Sequence, residues 1–228
     1  MKYKYFLFDL DNCLLYIPNS KDYFDNILLE TLKQGSTKHI PERSERNKFW
    51  FSGNSYIDYL IKWGTNNVHD FWKCFDKIDF EYREILVQKN EILLFNDVKS
   101  VLEEIYDANK KLAIVSNSAD YIVDFIVKEF NITKYFNYFF GLSFDKDQSI
   151  AKPSPLGVLS VLEKLKYDPK IEKAIMIGDS IVDIYAAKKA KISACLIRRD
   201  KNKYLDGYGA WEYNPDFVIE QLNEILDF

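Results

Sequence analysis

Apolar residues gather in five short runs, at 3–8, 112–115, 138–142, 174–177 and 192–197, each rich in β-branched or aromatic side chains. A strand with one face in water alternates apolar and polar positions, so nearly unbroken runs of this length predict strands covered on both faces of a sheet. Between the later runs the spacing changes. Residues 98–108, 119–130, 155–165 and 181–190 bring apolar positions back every three or four residues, as a helix with one face on a core requires. Strands alternating with helices predict parallel βαβ units. Two helix starts are marked chemically: Ser154 with Pro155 as N-cap and first-turn proline, and Ser180 ahead of Ile181, Ile184 and Ala187. The last stretch, 216–228, predicts a short strand entering an amphipathic helix whose apolar side holds Val218, Leu222, Ile225 and Leu226.

Residues 17–88 break the alternation, because they contain helical spacing and no strand-like run. Ser20 is placed to cap a helix that Gly35 ends, Gly53 and Gly64 bracket a second, and Asn67 opens a third through Phe71, Cys74 and Phe75. The expected architecture is therefore α/β. A Rossmann-like parallel sheet sandwiched by helices occupies 1–16 and 89–228, and 17–88 form an inserted all-helical domain. No internal repeat or low-complexity tract interrupts it.

Composition narrows the picture. With 228 residues, 47% of them hydrophobic, the chain has enough apolar material for a core without covalent staples. Cys13, Cys74 and Cys195 are too few and scattered for a disulfide framework, and no CxxC or Cys/His cluster suggests zinc. A net charge of −4 and a pI near 5.4 disfavour nucleic acid and anionic membranes as partners. The N-terminal apolar stretch meets Asp9 too early to form a signal-peptide core, and no run is long enough to span a bilayer. A cytoplasmic protein is expected, with monomer and dimer both open.

The candidate chemistry lies at the ends of the expected strands, where open parallel sheets place their ligands. Asp9 and Asp11 end the first run in DLDNCL, Ser116 and Asn117 end the second, Lys152 follows the third in KPSP, and Gly178, Asp179, Ser180 and Asp183 follow the fourth. Each has an ordinary alternative. Ser116 and Asn117 suit a turn, Lys152 a solvated surface, Asp179 and Ser180 a helix cap, and Asp183 a helix N-terminus. The ordered set is far harder to obtain by accident.

DLDNCL, the Ser116–Asn117 pair after AIV, KPSP and GDSIVD together resemble the four signature motifs of haloacid dehalogenase-like phosphohydrolases. The resemblance spans the chain in the usual order, and the helical insertion is similar to that family's C1-type cap. It implies a phosphatase acting on a small phosphorylated metabolite through an aspartyl-phosphate, with Mg²⁺ as cofactor. Asp9 is then the nucleophile, Asp11 the general acid and base, and Lys152 the balancing cation. Ser116 donates its hydroxyl to the phosphate, helped by nearby main-chain N–H groups that include that of Asn117. Asp9, the main-chain carbonyl of Asp11 and Asp179 hold the metal, while Asp183 and Ser180 orient that shell.

The chain departs from the family pattern at Asn12 and Cys13, where glycine and threonine are usual, and at Lys191, where a glycine often ends the helix. Asparagine tolerates a left-handed backbone, whereas a thiol is a weak substitute for a hydroxyl. These changes keep a weakly active or non-catalytic binding protein among the alternatives, beside a phosphomutase of the same superfamily. Asp11 argues for phosphorus over carbon, because the family's dehalogenases lack an aspartate there. Cys13 as a nucleophile finds no histidine nearby in sequence, His39 and His69 both lying in the insertion. The aromatic residues Phe49, Trp50, Phe51, Tyr56, Tyr59, Trp63, Phe71, Trp72 and Phe75 suit either a stacking surface or the insertion's own core. Arg43, Arg46 and Lys48 read as a solvated face.

Overall fold

The computed structural model describes residues 1–228 apart from 36, 38, 51 and 66, so Phe51 lies outside the described residues. Its main sheet contains β1 (Tyr5–Phe8), β2 (Lys111–Val115), β3 (Tyr138–Phe140), β4 (Ala174–Gly178), β5 (Ser193–Ile197) and β6 (Phe217–Ile219). The helices are α1 (Ser20–Gln34), α2 (Arg43–Phe49), α3 (Tyr56–Trp63), α4 (Val68–Gln88), α5 (Val98–Asp107), α6 (Asp120–Glu129), α7 (Leu156–Lys164) and α8 (Ile181–Lys189). No helix among the described residues is long and apolar enough to cross a membrane.

The sheet runs in the order β3-β2-β1-β4-β5-β6, and all of its pairs are parallel. Every residue of β1 is buried, as its unbroken apolar sequence requires. On one face Leu7, Val115 and Met176 pack against Val158 and Val161 of α7 and Ile184 and Ala187 of α8. Register then fixes the site. Phe8 stands opposite both Ile114 and Ile177, so Asp9, Val115 and Gly178 come next on three adjacent strands. The chain runs outward from β1 to β2 and β3, then crosses back to β4 on the other side of β1. Connections diverge at such a reversal and leave a crevice beyond the strand ends.

Contact density divides the chain into two compact units, one of Met1–Tyr16, Leu94–Leu142 and Ile150–Phe228, the other of Ile17–Leu93 with Ser143–Ser149. The second contains α1–α4. Its short outlying segment is tied in by the Phe144 N–H, which donates to Asp76 Oδ2 (2.8 Å), and by the His69 and Phe144 rings at 5.1 Å. Aromatic residues build this unit's own core. Phe49 and Trp63 are buried with centroids 5.4 Å apart, and Phe49 also meets the rings of Trp50, Tyr56, Tyr59, Phe71 and Trp72. Arg46 departs from the solvated face read from its charge run. It is buried, with Nε and Nη2 donating to the two carboxylate oxygens of Asp25, each at 2.7 Å. Arg43 stays exposed and pairs with Asp22.

Helix boundaries shift slightly from the expectations. Asn67 does cap α4, its Oδ1 accepting from the His69 and Asp70 N–H groups. Asn19, not Ser20, precedes α1, and Pro155, not Ser154, precedes α7, each one residue from the position expected. The expected C-terminal amphipathic helix is instead a 3₁₀ helix, Leu222–Asp227. Leu222 and Ile225, three residues apart, fill the buried side of its tighter turn. Val218 lies on the edge strand β6, where alternate side chains face water, and is 42% exposed.

Candidate active site

The residues singled out in the sequence meet beyond the carboxyl ends of β1, β2 and β4. Asp9 is buried, and its N–H donates to the Ile177 carbonyl (2.9 Å), so the neighbouring strand holds its backbone. The ammonium of Lys152, also buried, donates to Asp9 Oδ1 (2.6 Å), Asp183 Oδ1 (2.7 Å) and the Val115 carbonyl (2.8 Å). All three of its protons are thereby used. Burial by itself would pull this lysine's pKa down, but Asp183 and Asp9 hold it above the usual lysine value.

Asn117 supplies the geometry for Lys152. Its Oδ1 accepts from the Lys152 N–H (2.8 Å) and its Nδ2 donates to the Lys152 carbonyl (3.1 Å), so the side chain is turned onto a neighbouring loop, and the phosphate contact expected of this residue is one for its main-chain N–H. Ser116 is buried, and its Oγ accepts from the Ser118 N–H (3.1 Å). Ser118, which carried no signal in the sequence beyond its place after the Ser116–Asn117 pair, donates its hydroxyl to Asp11 Oδ2 (2.9 Å).

At the end of β4, carboxylate oxygens of Asp9, Asp179 and Asp183 lie within 4.8 Å of one another. Asp183 therefore stands beside the carboxylates that could hold a metal, with its Oδ1 accepting from Lys152 (2.7 Å). It also starts α8. Its Oδ2 accepts from the Ser180 N–H (3.0 Å) and Oγ (2.6 Å), and the crowding forces glycine at 178, where a Cβ would stand 2.3 Å from Asp183 Cγ. Asp179 has a partner the sequence did not reveal. Lys203 Nζ donates to its Oδ2 (2.7 Å) and its carbonyl (2.9 Å). Lys203 sits in the polar run RRDKNK after β5, which reads as a solvated loop; its only signal was that it too comes after a strand end.

Gathering carboxylates in a dry place suppresses their ionisation. Burial pushes Asp9 well above the ordinary aspartate value, Lys152 opposes that shift, and the charges of Asp183, Asp179 and Asp11 add to it. Asp179 is raised for the same reason, chiefly burial, against the opposing Lys203 ammonium.

The departures from the family pattern are accommodated locally. Asn12 and Lys191 have φ of 56° and 60°, in the left-handed region, which asparagine enters readily and lysine less so. Cys13 is fully buried, with Sγ 3.5 Å from the Ile177 carbonyl, and burial raises its pKa well above the usual thiol value, so it stays a neutral thiol. Cys195 is equally buried, whereas Cys74 is partly exposed. In native protein, a disulfide-exchange reagent is therefore expected to titrate Cys74 rapidly and the other two thiols only on unfolding. Mass mapping of early modification at Cys13 in folded protein would contradict this.

The chain is similar to known proteins over most of its length. It is 28% identical over 240 residues to pyrophosphatase PpaX of Listeria monocytogenes, covering 96% of this chain and 93% of that protein. It is 33% identical over 134 residues to phosphoglycolate phosphatase of Vibrio parahaemolyticus, covering 59% of this chain and 55% of that one. Among solved structures, CbbY from Rhodobacter sphaeroides in complex with phosphate superposes with a TM-score of 0.73 over 98% of this chain and 96% of that one, at 17% identity, a likeness of fold. A family model described as haloacid dehalogenase-like hydrolase matches residues 6–197, and this chain belongs to that family.

Proposed function

We propose that this chain is a Mg²⁺-dependent phosphatase that releases inorganic phosphate from a small phosphorylated metabolite through an aspartyl-phosphate on Asp9, with the helical unit serving as its cap. The observation that carries the reading is the buried Lys152 ammonium held between buried Asp9 and Asp183, with the partly buried Asp179 completing a three-carboxylate cluster. The pyrophosphatase and phosphoglycolate phosphatase relatives support the same chemistry.

The donor set suits a hard divalent cation. Four carboxylates, of Asp9, Asp11, Asp179 and Asp183, against two ammonium groups, of Lys152 and Lys203, leave two negative charges among these groups. Asp9, Asp179 and the main-chain carbonyl of Asp11 would hold Mg²⁺, with Asp183 and Ser180 orienting them. When bound, the ion supplies Lewis-acid neutralisation of the phosphoryl oxygens.

The chain's own groups do the rest. A carboxylate oxygen of Asp9 attacks phosphorus while the bond from phosphorus to the leaving oxygen breaks, and Asp11 gives that oxygen a proton. Asp11 then takes a proton from water, whose oxygen attacks phosphorus. The bond to Asp9 breaks, and its carboxylate returns as inorganic phosphate leaves. Ser118 keeps Asp11 aimed through its hydroxyl. Ser116 spends only its lone pair on Ser118, which leaves its proton to donate to a phosphoryl oxygen. Asn117 holds the backbone of Lys152, whose ammonium balances charge that grows in the transition state.

The test is phosphate release from a panel of pyrophosphate, phosphoglycolate, sugar phosphates and nucleoside monophosphates. At least one substrate is expected to turn over with Mg²⁺, to stop with EDTA and to recover with excess Mg²⁺. No release from any member, or release indifferent to EDTA, removes the reading. Interconversion of a sugar phosphate without net release selects a phosphomutase instead.

A further inference from the structure

We infer that Arg199 is a positioning residue for the loop that carries Asp11, and that its guanidinium does the anchoring that the side chain at position 13 is too weak to do. The inference rests on the assignment of Asp9 and Asp11 under the proposed function.

Cys13 offers this loop a poor anchor. Its thiol reaches the Ile177 carbonyl only at 3.5 Å, and a thiol is a weak donor. The residue's carbonyl is held instead. Arg199, two residues beyond β5, donates from both Nε and Nη2 to the Cys13 carbonyl, each at 3.2 Å. The remaining face of the same guanidinium grips Asp97, with Nη1 on Oδ2 at 2.7 Å and Nη2 on Oδ1 at 2.8 Å. Its plane lies over the Phe95 ring, 4.2 Å from the centroid. Asp97, the residue before α5, is itself fixed by the Leu222 N–H, which donates to Oδ2 at 2.7 Å.

Segments distant in the sequence thus converge around one guanidinium, which holds the carbonyl two residues after Asp11. The Arg199 side chain is only 9% exposed. Only a planar fork can bind a carboxylate with two nitrogens, reach a carbonyl and stack on a ring at once; an ammonium cannot. Nearby, the Phe95 N–H donates to the Leu14 carbonyl (3.1 Å), and the Leu14 and Leu15 N–H groups both return to the Leu10 carbonyl, so the loop is a tight turn whose exit is tied down. A turn held this way moves as a body if the tie is cut, and Asp11 moves with it.

Steady-state kinetics on Arg199→Met, Arg199→Lys, Cys13→Thr and the double variant Cys13→Thr/Arg199→Met, with Asp9→Asn alongside, test this. Both arginine variants are expected to lose about 10- to 100-fold in kcat, the scale of a small misplacement of a catalytic group, with KM changed far less. Arg199→Lys keeps the charge and the folded core, so it serves if the methionine variant unfolds. Cys13→Thr alone is expected to change little. In the double variant the threonine hydroxyl, a stronger donor to the Ile177 carbonyl, should restore most of the lost kcat without restoring the melting temperature. Unchanged kcat in both arginine variants, or a loss that threonine does not rescue, overturns the positioning role. Phosphate release that survives in Asp9→Asn overturns the underlying functional reading instead.

Discussion

Asp9→Asn is expected to lower phosphate release by about 10³-fold or more, the scale on which removal of a nucleophile is read, while the protein melts no lower than the native chain in metal-free buffer. The two halves of this outcome have one origin. Asp9 is buried among Asp183, Asp179 and Asp11, and its pKa is raised well above the ordinary value. An acid with a raised folded-state pKa holds its proton longer in the folded than in the unfolded state. Stability therefore falls as pH rises from the unfolded value, about 3.9, through the folded one. The amide keeps the shape and removes that loss, while Lys152 retains Asp183 and the Val115 carbonyl as partners. Malachite-green phosphate assays and differential scanning fluorimetry on the same preparation read both quantities. Activity within tenfold of native in pure variant protein excludes Asp9 as the nucleophile.

Lys152→Met should fail on both counts. The ammonium is the shared partner of Asp9 and Asp183, and removing one member of a buried charged set leaves the others uncompensated, at a cost of about 3–5 kcal/mol. Phosphate release should fall by about 10²- to 10³-fold, as when one preorganised electrostatic group is lost from an active site. The stability deficit has a pH signature. With the cation gone, Asp9 protonates more readily, so the gap between native and variant urea midpoints should be widest near neutral pH and narrow as the pH is lowered. Equal midpoints at neutral pH would show that Lys152 carries no such weight.

Placement of the candidate residues on successive strand ends was legible in the sequence because parallel strands covered on both faces announce themselves as apolar runs, and the residues just after each run must lie at the sheet's edge. Asp9, Ser116, Asp179 and Asp183 were found in this way. The partner of the Asn117 side chain was not. That side chain folds back onto the Lys152 backbone, 35 residues away, whereas the expectation for this residue concerned only its main-chain N–H. Ser118 and Lys203 escaped for a related reason: a serine in a turn and a lysine in a polar loop are common everywhere, and only the approach of Asp11 and Asp179 gives them meaning. In the helical unit, a charge run suggested a solvated Arg46, whereas Asp25 on α1 draws it inside.

The sequence by itself determined the α/β alternation, the helical insertion and the residue types at each strand end, because periodicity and end residues are properties of neighbours along the chain. Tertiary structure alone decided the partnerships. The register of β1 with β2 and β4 sets Asp9 beside Val115 and Gly178, and Lys152, 143 residues away, closes on Asp9 and Asp183. Hydrogen bonds and charges act over a few ångströms of space, and which distant residues come that close is fixed only when the sheet is assembled.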